Sequence, residues 1–110
     1  VAEMATKVTR GRTDRVVESI KQVLDEYQHD NPDALIELYR QNSASIRVRI
    51  INPKFEKMDR IERNDELWSY LKRLDPRSQS DISMLLLLAP REKKSSLINL
   101  EFDDPLPSRS

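Results

Sequence analysis

Apolar and basic positions alternate along residues 45–51, where Ile46, Val48 and Ile50 are separated by Arg47 and Arg49. A period of two indicates a β-strand with one buried and one exposed face. Residues 34–40 give a second strand pattern, and the short polar turn at 41–44 predicts that the two strands form a hairpin.

Residues 81–89 predict a third strand, because the run from 84 to 88 (MLLLL) is apolar throughout. Such a run is typical of a strand that is covered on both faces or flanked on both sides by other strands. Residues 98–102 also alternate between apolar and polar, which leaves open either an additional edge strand near the C-terminus or an extension that packs on the domain.

Two segments have the spacing of amphipathic helices. The first is predicted to begin at a cap formed by Thr13 or Asp14 and to end before Pro32. The second is predicted to begin at Asn64 and to end at Asp75. Their apolar stripes comprise Val16, Val17, Ile20, Val23, Leu24 and Tyr27 in the first, and Leu67, Trp68, Leu71 and Leu74 in the second.

The remaining segments are predicted to be irregular. Residues 54–63 are expected to form a charged linker with a helical turn near 59–61, and residues 77–80 a loop. Residues 1–12 are expected to be a flexible tail, and residues 103–110 an acidic tail that contains proline.

The order of elements is therefore α-β-β-α-α-β. It predicts an α+β protein, a two-layer sandwich with a three-stranded mixed sheet and the optional C-terminal edge strand. Residues 13–102 are expected to form a single domain.

Composition excludes several kinds of chemistry. The 110 residues contain no cysteine, which rules out disulfides and thiolate sites, and a single glycine, which rules out a glycine-rich phosphate loop. Nineteen acidic residues balance nineteen basic ones. There is no apolar run long enough to span a membrane and no signal-peptide pattern, so we expect a cytoplasmic protein that does not contact a membrane.

Candidate catalytic residues are few. His29, the single histidine, has no partner with which to form a metal cluster or a nucleophile–base pair, and we expect a surface role at a helix end. Glu101, Asp103 and Asp104 carry oxygen ligands suited to a hard cation, but their spacing matches no known loop motif. We therefore expect no catalytic residue, no metal, no cofactor and no small-molecule substrate.

A basic set is the strongest candidate for a binding surface. Arg47 and Arg49 project from one face of their strand, and the following linker continues the positive charge, so one edge becomes locally positive. Phosphate or an acidic protein is the kind of ligand that such an edge attracts. A surface of internal salt bridges is the competing interpretation. The candidate residues are Arg47, Arg49, Lys54, Lys57, Arg60 and Arg63.

The segments 46–55 (IRVRIINPKF), 60–71 (RIERNDELWSYL) and 81–85 (DISML) resemble the BolA-like family over residues 16–92. This resemblance implies the BolA-like topology, which is similar to one arrangement of the KH RNA-binding domain. In the family, histidine and cysteine side chains help to bind a two-iron cluster shared with a monothiol glutaredoxin.

The family's ligand positions hold other residues in this chain. Asp81 stands in place of a histidine, Arg63-Asn64-Asp65 lacks the family's central histidine, and the turn at 41–44 has neither histidine nor cysteine. The Gly-x-x-Gly loop of KH domains is absent too. We therefore expect a non-enzymatic adaptor or regulatory protein that acts through protein contacts. The alternative is an RNA- or DNA-binding module that uses the basic edge from Arg47 to Arg63.

Overall fold

A computed structural model describes residues 6–93 and 97–104, with only the backbone at 97 and 98. The elements are β1 (Lys7–Arg10), α1 (Arg15–Asp30), β2 (Leu35–Asn42), β3 (Ser45–Ile51), α2 (Arg60–Leu71), α3 (Pro76–Asp81), β4 (Ile82–Leu88) and α4 (Leu97–Asp103). Short 3-10 turns span Pro53–Lys57 and Pro90–Glu92. The mixed sheet of four strands confirms the α+β class.

The strands follow the order β1-β2-β3-β4. The central pair β2–β3 is an antiparallel hairpin, while β1 runs parallel to β2 and β4 runs parallel to β3. The hairpin register sets Leu38 opposite Val48 and Glu37 opposite Arg49. Ile46, Val48 and Ile50 are fully buried, so the alternation in the sequence predicted the face of this strand correctly.

The main core lies between this face of the sheet and the helices α1 and α2. Asp14, one of the two predicted candidates, caps α1 by accepting a hydrogen bond from the backbone N–H of Val17 at 3.0 Å. The predicted stripe of α1 is largely buried against β2 and β3, and Leu67 and Leu71 of α2 complete the core. Trp68, expected in the core, is only partly buried and packs at its margin.

The second face of the sheet carries α4. Phe102 is buried there against Tyr39, Ile51, Leu86 and Leu88. The predicted edge strand at residues 98–102 is therefore wrong, because Asn99 and Phe102, three residues apart, share the buried face of a helix while Leu100 is 64% exposed. The predicted sandwich has two layers, but in the structure the short helix α4 also covers part of the second face of the sheet.

The N-terminal segment also differs from the expected tail. Lys7–Arg10 forms β1, the edge strand that pairs with β2. The four residues of β1 show no strand periodicity in the sequence. The strand forms because the edge of β2 is available for pairing. Residues 1–5 of the expected tail and residues 105–110 of the expected acidic tail lie outside the described residues.

Helix α2 begins before the predicted Asn64 cap. Asp59 is the N-cap, and it forms a reciprocal capping box with Glu62: Glu62 N donates to Asp59 Oδ1 at 2.8 Å and Asp59 N donates to Glu62 Oε1 at 2.9 Å. The predicted loop at 77–80 is part of the helix α3, which Pro76 begins.

Strand β4 lies at an edge of the sheet. Within the described part of the chain it pairs with β3 alone, so flanking strands, one of the two predicted alternatives, are wrong. The other alternative agrees with the structure: Leu85 and Leu87 pack on the main core, and Leu86 and Leu88 pack with Phe102 on the second face. An apolar strand pattern gives no information about which side of a sheet the strand occupies. None of the described helices is both long and apolar enough to cross a membrane.

Candidate functional site

The six predicted basic residues do not form one edge. Strand β3 lies between β2 and β4, so Arg47 and Arg49 sit on the face of a central strand, beneath α4. The other four, Lys54, Lys57, Arg60 and Arg63, lie in the 3-10 turn after β3 and on α2. A single continuous basic surface therefore does not result from the fold.

Arg49 is the centre of a polar network that joins the sheet to α4. Its guanidinium is buried and donates to Glu37 on β2, to Asn99 Oδ1 at 2.7 Å and to Asp103 Oδ1 at 2.9 Å. Burial alone lowers the pKa of Arg49, but the hydrogen bonds to Glu37 and Asp103 raise it above its usual value. Arg49 thus stays charged and is fully engaged by this chain.

Two neighbours extend this network. Arg47 Nη1 donates to Glu101 Oε2 at 2.9 Å, and Arg10 on β1 donates to the carbonyl oxygens of Phe102 and Asp103, each at 2.7 Å. Cations at the C-terminal carbonyl groups of a helix also meet the negative end of its dipole. We call the surface formed by Arg10, Tyr39, Arg47 and Arg49 the arginine face.

Tyr39 supplies the apolar part of the arginine face. Its ring meets the ring of Phe102 edge to face with the centroids 5.0 Å apart, and its hydroxyl donates to the Phe102 carbonyl oxygen at 2.7 Å. Arg10 stacks on the ring of Tyr39, with its guanidinium carbon 4.4 Å from the ring centroid. Sequence reasoning missed Arg10, because only the parallel pairing of β1 with β2 brings it beside Tyr39. Tyr39 itself lies opposite Arg47 in the predicted hairpin of β2 and β3.

Arg63 has a structural role. It is buried, and it donates to Met58 O at 3.0 Å, to Leu87 O at 3.1 Å and to Glu92 Oε1 at 2.7 Å. These contacts fix the start of α2 to the end of β4. An arginine committed in this way is not free to bind a ligand.

The other basic residues are at the surface. Lys54 pairs with Glu66 at 2.7 Å. Lys57 and Arg60 are exposed, and no ion pair to either is found in residues 6–93 and 97–104. Of the predicted basic set, these two are the residues that remain available to a ligand.

Asp81, which the sequence comparison set against a family histidine, belongs to a buried ion pair. Arg40 Nη2 lies 3.3 Å from Asp81 Oδ2, and Arg40 Nε lies 2.6 Å from Asp14 Oδ2. Asp14 is the cap of α1, and the hydrogen bond from Val17 N, with Arg40 beside it, lowers its pKa. The side chains of Asp14, Arg40 and Asp81 join α1, β2 and the end of α3, so their role is structural.

The remaining candidates do not assemble a reaction centre. His29 is 89% exposed, and Glu101 and Asp103 are the partners of Arg47 and Arg49. Among the described residues there is no group of three or more histidine, aspartate or glutamate side chains that could hold a metal ion. An open depression of about 490 Å³ lies between the end of α1 and the 3-10 turn after β3, lined mainly by Asp30, Asp33, Lys54, Glu56 and Lys57.

Comparison with known proteins identifies no relative. No family model matches this chain, no curated protein matches it, and no solved structure matches it. What the protein does must therefore be inferred from its own residues and their geometry.

Proposed function

We propose that this protein is a small non-enzymatic adaptor of BolA-like topology that acts through contacts with other proteins. The order α1-β2-β3-α2-α3-β4, with an antiparallel hairpin followed by a parallel last strand, supports the topology. Among the described residues, the buried charged side chains are those of Arg40, Arg49, Arg63 and Asp81. Each has a partner of opposite charge, which supports a scaffold role over a catalytic one.

The observation that carries this proposal is the edge strand β4, which within residues 6–93 and 97–104 pairs with β3 alone. Its seven residues, ISMLLLL, contain no charge, no proline and no glycine. The opposite edge strand, β1, is only four residues long, carries Lys7 and Arg10, and has a register irregularity after Val8. Natural sheets protect edges with such features, and an edge that lacks them is suited to pairing with another chain.

Some backbone N–H and C=O groups of β4 point away from β3, at the open edge of the sheet. Asn52 N donates to Leu88 O at 3.0 Å, so the carbonyl of Leu88 faces β3. Because successive residues of a strand alternate, Leu85 and Leu87 present their N–H and C=O groups outward. Arg63 covers the Leu87 carbonyl, whereas Leu85 lies in the middle of the edge.

The partner that fits this edge is an extended segment that adds a strand to the sheet. Main-chain hydrogen bonds give affinity in this mode, and alternate side chains give specificity. Because β4 carries no charge, the matching segment is apolar and uncharged as well. Strand addition of this kind is an adaptor function that requires no catalytic residue.

Site-specific photocrosslinking in cells tests the proposal. A benzophenone amino acid replaces Ser83, an exposed residue of β4, and in a control protein it replaces Ser69, an exposed residue of α2. We expect one partner protein to be crosslinked from position 83 and not from position 69. We also expect Leu85→Pro, which removes an outward N–H, to abolish that crosslink while the protein remains folded. The same crosslinked proteins from both positions would overturn the proposal.

Nucleic-acid binding is the second candidate, supported by the exposure of Lys57 and Arg60. It has weaker support because Arg47, Arg49, Lys54 and Arg63 are paired within the chain. It requires affinity for mixed-sequence RNA or DNA that falls steeply with salt and is reduced by the double variant Lys57→Ala/Arg60→Ala. Absence of such binding at low salt would exclude it.

A further inference from the structure

The C-terminal helix α4 is held on the sheet largely by polar contacts. Among the described side chains of α4, that of Phe102 alone packs in an apolar cluster, whereas Leu100 projects into solvent. The other contacts join Asn99, Glu101 and Asp103 to arginines of β3, and the helix end to Arg10. The sheet thus recognises a segment with one aromatic anchor flanked by carboxylates.

These contacts are weak enough for a competing segment to displace α4 from the sheet. Helix α4 has seven residues, which is too short to be stable on its own. The carboxylates of Glu101 and Asp103 are 30% and 52% exposed, so their ion pairs are partly screened by water and salt. The occupancy of the sheet by α4 is therefore expected to depend on ionic strength.

The surface under α4 has the features of a binding site when α4 leaves. Ile51, Leu86, Leu88 and Tyr39 form an apolar floor, and Arg47 and Arg49 stand beside it. When α4 leaves, the apolar floor and the guanidinium groups become exposed to water at the same time. A ligand that covers the floor and also pairs with the guanidinium groups therefore binds more favourably than water does.

We propose that the arginine face is a binding site for a short acidic, aromatic helical segment of another protein, and that α4 is its built-in competitor. The pattern Glu101-Phe102-Asp103 is the template for the ligand: a phenylalanine on the apolar floor, with a carboxylate on each side paired to Arg47 and Arg49. This site uses the side chains of Leu86 and Leu88 on the face of the sheet, whereas strand addition uses the outward backbone groups of β4, so it adds a second contact surface to the proposed adaptor.

A protein ligand is favoured over nucleic acid by the directions of the contacts. Arg10 and the Tyr39 hydroxyl both donate to backbone carbonyl oxygens at the end of a helix, groups that a nucleic acid does not possess. Arg49 donates to an amide oxygen of Asn99 as well as to a carboxylate. A phosphate group could accept hydrogen bonds from these donors, but it would leave the apolar floor under Phe102 uncovered.

The test uses the full chain with Phe102→Ala and Asp103→Asn, a released variant in which the internal competitor is weakened. The probe is a synthetic peptide with the sequence of residues 97–104, LINLEFDD, blocked at both ends. Backbone amide shifts of β2 and β3 are followed by NMR during titration, because the spectrum reports folding and binding together. The milder variant Glu101→Gln/Asp103→Asn, which keeps Phe102, serves if the released variant fails to fold.

We expect the released variant to bind the peptide at least about tenfold more tightly than the unaltered chain, a difference of about 1.4 kcal/mol. Binding should weaken with salt and be lost when Arg49→Met is added to the released variant. The matched control Arg60→Met, at an exposed position remote from the network, should leave it unchanged.

Three outcomes would overturn the proposal. The first is equal affinity of the peptide for the released variant and the unaltered chain. The second is peptide binding that survives Arg49→Met. The third is a released variant that binds an oligonucleotide, or a second copy of itself, in preference to the peptide. Each of these leaves the proposed strand addition at β4 intact, since that test uses a different surface.

Discussion

Arg49 on β3 stacks on Phe102 of α4, with its guanidinium carbon 4.6 Å from the centroid of the ring. The same guanidinium donates to Glu37 on the neighbouring strand β2. One side chain thus links two strands and the C-terminal helix, and it converts the polar face of β3 into an internal surface. Cation–π contacts of this kind gain strength when the pair is shielded from water.

Replacing Arg49 by methionine should lower the free energy of unfolding by about 2 kcal/mol, because the partly buried carboxylate of Glu37 is then left without its ion-pair partner. Urea denaturation measures this change. The double variant Arg49→Met/Glu37→Leu should regain most of the loss, since it removes both charges together. A double variant as unstable as the sum of its two single variants would show that the pair itself matters little.

Gly11, immediately after β1, should not tolerate a side chain. Its φ is +78°, and a Cβ atom there would lie 2.6 Å from the carbonyl oxygen of Arg40. We expect Gly11→Ala to destabilise the protein by about 2 kcal/mol, from the left-handed backbone and the clash together. The exposed neighbour Thr13, changed to alanine, is the matched control. If both variants unfold at the same urea concentration as the unaltered chain, the N-terminal segment behaves as the tail that the sequence suggested.

The start of α2 can be located by two alanine substitutions. Asp59→Ala removes the side-chain acceptor of the capping box, which holds the backbone N–H of Glu62, and should cost about 1 kcal/mol. Asn64→Ala, inside the helix and exposed, should be neutral or slightly stabilising, because alanine has the higher helix propensity. Thermal denaturation of the two variants provides the comparison, and the reverse ranking would place the cap at Asn64.

Acid should weaken the contact between Arg63 and Glu92. The hydrogen bonds from Arg63 and from the backbone N–H of Ala89 lower the pKa of Glu92 from 4.5 to about 2. A carboxylate with a lowered pKa stabilises the fold above its unfolded pKa, and this stabilisation is lost as pH falls from 4.5 towards 2.

The Glu92 carboxylate is 38% exposed, so its contribution is reduced by solvent to about 1 kcal/mol. Urea denaturation at a series of pH values should show that Glu92→Gln is less stable than the unaltered chain at neutral pH and that the difference narrows in acid. Asp33→Asn, at an exposed position, is the control. A constant difference across the series would assign the effect to packing instead of charge.

Much of the fold could be predicted from local pattern. The bounds of β3, the cap of α1 at Asp14 and the buried stripe of α1 followed from periodicity and capping chemistry, which act between residues close in sequence. Asp59 and Glu62 also have the spacing of a capping box, but the high charge of residues 54–63 is typical of a linker, so the pattern predicts the later cap at Asn64.

The candidate site shows the limit of that approach. The sequence established that Arg47 and Arg49 share the face opposite to Ile46, Val48 and Ile50, and it excluded thiolate and glycine-loop chemistry. It did not determine that α4 covers those arginines or that β4 forms an edge, because strand order and helix docking depend on contacts between residues far apart along the chain. The same alternating pattern fits an exposed basic surface and a buried ion network, and only the tertiary position of Glu37, Glu101 and Asp103 distinguishes the two.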